Sequence, residues 1–155
     1  MFKLFLYPLS AIYGLIVSIR NFLYDYKIFK STEFEIPVIS IGNITVGGTG
    51  KTPHTEYLVD LLRKQFIVTT IIRGFKRKTK GYQDVKVDSL ATAVGDEPLQ
   101  IKNKFREVQV VVDEKRVHAL KLIQKQEPGE LPDVILLDDA FQHRSVSPGI
   151  NILLI

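Results

Sequence analysis

The run Thr45-Val46-Gly47-Gly48-Thr49-Gly50-Lys51-Thr52 places three glycines ahead of a lysine and a hydroxyl, an order that suits a nucleoside triphosphate. Glycines let successive backbone N–H groups turn inward to cradle phosphate oxygens. A lysine in that position reaches the β- and γ-phosphates, and the hydroxyl after it ligates Mg2+. The generic pattern has glycine where Thr45 stands. Two acidic pairs extend the inventory toward phosphoryl transfer. Asp138-Asp139 closes the apolar run Val134-Ile135-Leu136-Leu137. From there an NTPase of this kind holds Mg2+ opposite its phosphate loop, although aspartates at strand ends also serve in plain solvated turns. Gln142 and His143 follow. His143 either bonds phosphate, positions a carboxylate or is structural. Asp96-Glu97, in Gly95-Asp96-Glu97-Pro98, precedes a helical pattern over Leu99–Phe105. One of these carboxylates could accept the proton of an attacking hydroxyl; alternatively both occupy a helix's first turn, where acids are favoured.

These residues must be held by strands and helices. Ile36-Pro37-Val38-Ile39-Ser40-Ile41 reads as a buried strand entering the glycine run, and Glu56, Tyr57, Leu58, Leu61 and Leu62 as a helix leaving it. Phe66–Ile72, Glu107–Val112, Asp133–Asp138 and Ile150–Ile155 are further apolar runs, with a helical stretch over Glu114–Gln126 broken by Pro128-Gly129. Apolar strands alternating with helices predict an α/β fold of P-loop NTPase type, a mainly parallel sheet covered on both faces. Ligands of such sheets bind at the carboxyl ends of the strands. Arg73 leaves the second strand at that end and opens a basic run, five positive charges in the eight residues to Lys80. Arg73 is the better candidate for a phosphate contact and Arg116 a weaker one. The later lysines suit acidic lipid headgroups, a phosphorylated substrate or a solvated loop.

At 155 residues, 45% hydrophobic and 25% charged, the chain can bury a core. Without cysteine, disulfides and thiolate metal sites are excluded. The net charge of +4 suits anionic partners. No zinc-finger spacing or aromatic-rich RNA-binding signature accompanies it, so nucleic acid is not the expected partner. Residues 1–30 stand apart. From Leu4 to Ile19 there are sixteen uncharged residues, fewer than the ~20 that span a bilayer. Asn21 to Lys27 then interleaves tyrosines with charge. A helix lying in a membrane interface fits this pattern, with a helix packed on its own domain as the alternative. Residues 36–155 form the kinase-like domain. The final run, Ile150–Ile155, reads as a buried strand, so the chain is expected to be part of a longer protein.

Four segments together resemble the tetraacyldisaccharide 4'-kinase family of lipid A biosynthesis: Gly42-Asn43-Ile44 through Lys51-Thr52-Pro53, Arg73-Gly74-Phe75, Gly95-Asp96-Glu97-Pro98, and Asp138-Asp139-Ala140-Phe141-Gln142-His143. Thr45 is usual in that family, and Ala140 stands where glycine is common. The resemblance covers the family's N-terminal half; the second lobe, which supplies the other wall of the cleft, is absent. It implies an ATP- and Mg2+-dependent kinase that phosphorylates the 4'-hydroxyl of a tetraacyl glucosamine disaccharide 1-phosphate at the cytoplasmic face of the Gram-negative inner membrane. By the same resemblance Asp96 activates the hydroxyl and Glu97 belongs to the magnesium site. Asp138 and Asp139 serve the metal and phosphate region, Lys51 and Thr52 hold phosphate and Mg2+, and the N-terminal helix meets the lipid. The rival reading is a membrane-bound nucleotide-switch ATPase of the partition or division-site type. Its loop carries a signature lysine where this chain has Val46.

Overall fold

Val38–Asn43 (β1), Val68–Ile72 (β2), Gln109–Val112 (β4) and Val134–Leu137 (β5) are rich in β-branched and aliphatic residues, and nearly every side chain on them is buried. Such strands lie inside a sheet covered on both faces. The computed structural model describes residues 2–43, 50–138 and 144–155. They form two units, Met1–Thr32 and Glu33–Ile155.

Among the described residues the larger unit holds a six-stranded sheet which, with Gln83–Asp84 as β3 and Ile150–Leu154 as β6, is ordered β3-β4-β2-β5-β1-β6. Pairing is parallel throughout except at β3 (Gln83–Asp84), which runs antiparallel to β4. The expected α/β class with a mainly parallel sheet is therefore observed. Alternation along the strands assigns side chains to two faces. Val68, Ile72, Val110, Val112, Val134 and Leu136 pack on one face with Val59 of α2 (Lys51–Leu62), Val94 of α3 (Ala91–Val94) and Ile101 of α4 (Asp96–Lys104). Ile71, Val111, Ile135 and Leu137 pack on the other with Ala119, Leu120 and Ile123 of α5 (Arg116–Ile123). Each fully buried Ile or Leu contributes about 1.5–3 kcal/mol.

The strand order fixes what stands beside what. The chain leaves β1, crosses to β2, and later returns to insert β5 between them, with Val38 opposite Ile135 and Val68 opposite Val134. The carboxyl ends of β1, β5 and β2 are thus neighbours. Two expectations shift. Ile150–Leu154 (β6), read as buried, is the outer strand beside β1, and Ile150 is 56% exposed. The acidic turn is not a loop ahead of a helix, because α4 begins at Asp96 itself.

The smaller unit is dominated by α1 (Phe2–Asp25). Its C-terminal turn is closed by Lys27 in a left-handed conformation (φ 57), whose N–H donates to Tyr24 O at 3.0 Å. Among the described residues no helix is long and apolar enough to cross a membrane.

Candidate active site

Helix α2 starts where the glycine run ends. Gly50 holds φ 72, a left-handed value that suits glycine, and its carbonyl accepts the His54 N–H at 3.1 Å. His54 Nδ1 lies 2.8 Å from the same oxygen, so that nitrogen carries the proton and donates. Pro53 is tolerated in the first turn because N–H groups there have no intrahelical partner. No carboxylate occupies that turn. The positive end of the helix is therefore left for an anion.

Two acidic segments meet this helix. Glu97 Oε1 accepts a long hydrogen bond from Thr52 Oγ1 at 3.4 Å, across 45 residues of sequence. One turn on, Glu56 accepts from Gln100 Nε2 at 2.7 Å and pairs with Lys104 at 2.5 Å. Matched contacts on successive turns align α4 alongside α2 and set the acidic turn beside Thr52. Asp96 and Glu97 do sit in the first turn of α4, as the capping alternative expects. Glu97 nonetheless reaches across to Thr52 instead of bonding its own helix end, and both side chains are exposed.

Asp138 follows β5 and is only 4% exposed. Its Oδ1 accepts from Thr55 Oγ1 at 3.1 Å, and its N–H donates to Ile71 O at 3.1 Å. Thr55, wholly buried, was not singled out by the sequence reading. The available signal was its place three residues after Thr52, which puts both hydroxyls on one side of α2.

Arg116 is corrected from a candidate phosphate contact to a buried brace. It is 2% exposed, and its guanidinium donates to the carbonyls of Asp113 at 2.8 Å and Asp138 at 3.0 Å. It thereby spans from the end of β4 to the end of β5. Asp113, also unforeseen, is buried and accepts from Lys115 N–H at 2.9 Å, with His118 Nδ1 2.6 Å away.

Arg73 is exposed at the end of β2. Behind it, the Gly74 segment presses on the turn before α4: a Cβ built on Gly95 would lie 3.3 Å from both Gly74 Cα and Phe75 O. Gly95 itself holds φ 97 and ψ 157, a region essentially reserved for glycine. The basic run and the acidic turn are thus packed backbone to backbone. Its Arg77 pairs with Glu114 at 2.9 Å. Glu114 lies below the usual carboxylate range, held there by its own backbone N–H first and then by the Gly81 N–H and Arg77, against the opposing effect of desolvation. Tyr82 is pushed upward, by burial first and then by Asp84 and Asp113.

The structure therefore brings together Gly50, Thr52, Glu97 and Asp138 with the start of α2 at Lys51, and sets Asp96 next to Glu97. Thr45, Val46, Gly47, Gly48 and Thr49, and Asp139 with Ala140, Phe141, Gln142 and His143, lie outside the described residues. What is assembled is oxygen ligands and a helix amino end at the carboxyl edge of a parallel sheet, the chemistry of a phosphate and a hard cation.

Comparison with known proteins agrees in kind. The profile of the family described as tetraacyldisaccharide-1-P 4'-kinase matches residues 2–155. A tetraacyldisaccharide 4'-kinase of Phocaeicola vulgatus is 53% identical over 150 residues, covering 97% of this chain and 41% of the relative. One from Bacteroides thetaiotaomicron is 51% identical, covering 96% and 39%. The chain thus spans about two fifths of the length of these curated relatives. Among solved structures it is similar to the "apo" form of LpxK from Aquifex aeolicus in complex with ATP, with TM-score 0.89 and 38% identity over 100% of this chain and 49% of that one. A family match over residues 2–155 and relatives about half identical along nearly the whole chain place it plainly: the chain belongs to the tetraacyldisaccharide-1-P 4'-kinase family.

Proposed function

We propose that the protein of which this chain is part transfers the γ-phosphoryl group of ATP to the 4'-hydroxyl of a tetraacyl disaccharide 1-phosphate in lipid A biosynthesis. The observation that carries the reading is the meeting of Thr52 with Glu97, which sets an acidic turn against the helix that leaves the glycine run. Thr45 to Gly50 cradle the phosphates, Lys51 reaches the β- and γ-phosphates, and Arg73 adds charge from the end of β2. Thr52, Glu97 and Asp138 are hard oxygen donors, a set that fits Mg2+. When bound, that ion neutralises charge on the phosphates. Asp96, exposed beside Glu97, accepts the proton of the sugar hydroxyl as it attacks in line. Asp139 and His143 complete the phosphate side.

The substrate carries acyl chains, so the enzyme works at a membrane surface. Residues 1–30 supply the membrane contact and 36–155 the nucleotide-binding part. Ile12, Ile16 and Ile19 of α1 are each more than half exposed, an apolar surface that suits a membrane interface. ATP supply puts the reaction at the cytoplasmic face of the inner membrane.

The test is transfer from γ-labelled ATP to the disaccharide 1-phosphate in detergent micelles by the intact protein. Asp96→Ala should lower turnover far more than ATP affinity, and Lys51→Ala should harm both. Full turnover in Asp96→Ala would remove it as the base. ATP binding without transfer would sink the kinase reading.

A further inference from the structure

The basic run after β2 is anchored at alternate residues. Arg77, its side chain 3% exposed, donates to Gly81 O at 2.7 Å and to Glu114 Oε2 at 2.9 Å. The Gly81 N–H donates to the same carboxylate oxygen at 2.9 Å. Thr79 Oγ1 donates to Ala93 O, and the Lys78 N–H to Thr92 O at 2.8 Å. Lys76, just ahead of these anchors, and Lys78 and Lys80, between them, are exposed. None of the three has an ion-pair partner among the described residues. Phe75 precedes them, 72% exposed, with Lys76 Nζ 5.4 Å from its ring centroid. Lys76 holds φ 62, a conformation disfavoured for a residue with a Cβ. The fold thus anchors a short segment that carries three exposed lysines, none ion-paired among the described residues, and an exposed aromatic ring.

We propose that this strip, Phe75 with Lys76, Lys78 and Lys80, docks on an anionic lipid surface. An exposed aromatic seats at the headgroup level of a bilayer while lysines beside it meet the phosphates. One soluble phosphate would be served by cations converging on a point, whereas these lysines alternate along the chain with the anchored Arg77 and Thr79. Single-stranded nucleic acid asks for successive aromatic platforms, and the run offers one ring. Position adds a consequence. The strip leaves the carboxyl end of β2 and packs on Gly95, the residue before Asp96. Docking it turns the phosphate-binding edge of the sheet toward the bilayer. The proposal does not rest on the kinase reading, because vesicle binding needs no turnover.

The test is sedimentation of the intact protein with vesicles of phosphatidylcholine alone and with phosphatidylglycerol added. Lys76→Gln/Lys78→Gln/Lys80→Gln is compared with Lys64→Gln/Lys121→Gln/Lys125→Gln, which removes the same charge from exposed positions elsewhere. Each lysine near an anionic surface favours binding roughly fivefold. The strip variant should therefore lose on the order of a hundredfold of the preference for anionic vesicles, and the control variant far less. Phe75→Ser should weaken binding to both vesicle types. An unchanged preference in the strip variant, or an equal loss in the control, would overturn the proposal. So would normal vesicle binding joined to a raised KM for the disaccharide 1-phosphate in neutral micelles, which would assign the lysines to the substrate's own phosphate. Failed transfer with vesicle binding as expected would fault the kinase reading alone.

Discussion

Thr55→Val asks whether the buried hydroxyl of α2 holds Asp138. Valine keeps the shape of threonine and replaces the hydroxyl by a methyl, so no cavity opens. The lost contact is a 3.1 Å hydrogen bond to a carboxylate that is 4% exposed. Hydrogen bonds to charged groups contribute about 1.5–3 kcal/mol, and removing the donor leaves a buried acceptor short of a partner. Thr55→Ser is the matched opposite: it keeps the hydroxyl and deletes one buried methyl, worth about 0.8 kcal/mol before any cavity cost. Urea unfolding of the intact protein with both variants should rank valine as the more damaging, by roughly 1 kcal/mol or more. ATP affinity measured with Mg2+ should fall in the valine variant and hold in the serine one, because Asp138 loses its positioning only in the first. If serine is the worse of the two, packing rather than the carboxylate sets the value of Thr55, and the hydroxyl has no part in placing Asp138.

Three more expectations follow from the same geometry. Gly95→Ala adds a Cβ 3.3 Å from two backbone atoms at φ 97, where strain costs on the order of 1–3 kcal/mol; it should lower kcat through displacement of Asp96 more than it raises the KM for ATP. Arg116→Met removes a brace between two strand ends while filling its volume; it should lower stability by about 1–3 kcal/mol in urea unfolding, and an unchanged midpoint would show that Arg116 serves a ligand instead. Glu114 has a folded-state pKa below its unfolded value of 4.5, so its contribution is present above that value and is lost as pH falls through the lowered one. Glu114→Gln should flatten the acid limb of the melting-temperature profile below about pH 4.5, and an unaltered limb would count against a carboxylate held low by its backbone N–H, the Gly81 N–H and Arg77.

What was legible in the sequence is what chemistry writes locally. Gly50-Lys51-Thr52 opens α2 and Asp138 closes the buried strand β5, and such contiguous segments are visible in one dimension. The strands β2, β4 and β5 were equally plain, because burial on both faces demands unbroken apolar runs. Pairings were not legible. Thr55 meets Asp138 across 83 residues, and nothing about a helical threonine announces a carboxylate opposite. Arg77 reads as one charge among five, and only the placement of Glu114 after β4 turns it into an anchor. Gln83–Asp84 escaped because two polar residues carry no alternation. The start of α4 escaped for a conformational reason: Gly95 turns the chain at φ 97, which admits Asp96 and Glu97 into the helix instead of leaving them ahead of it.

The positions of the two acidic segments depend on a single element. Helix α2 gives Thr52 to Glu97, Thr55 to Asp138, and Glu56 to Gln100 and Lys104. Residues three and four apart on a helix share a side, so these contacts form one stripe along α2 and its first two turns set the register of both carboxylate groups. The helix begins at Lys51, directly after Gly50, so the stripe starts at the amino end of α2. Displacement of α2 would therefore shift Glu97 and Asp138 together. The direction of coupling can be measured: loss of the Glu56 contacts by Glu56→Ala should weaken nucleotide binding little and slow phosphoryl transfer more, because the α4 end of the stripe carries Asp96. An equal effect on both would mean that α4 is placed by Gly95 and the core alone.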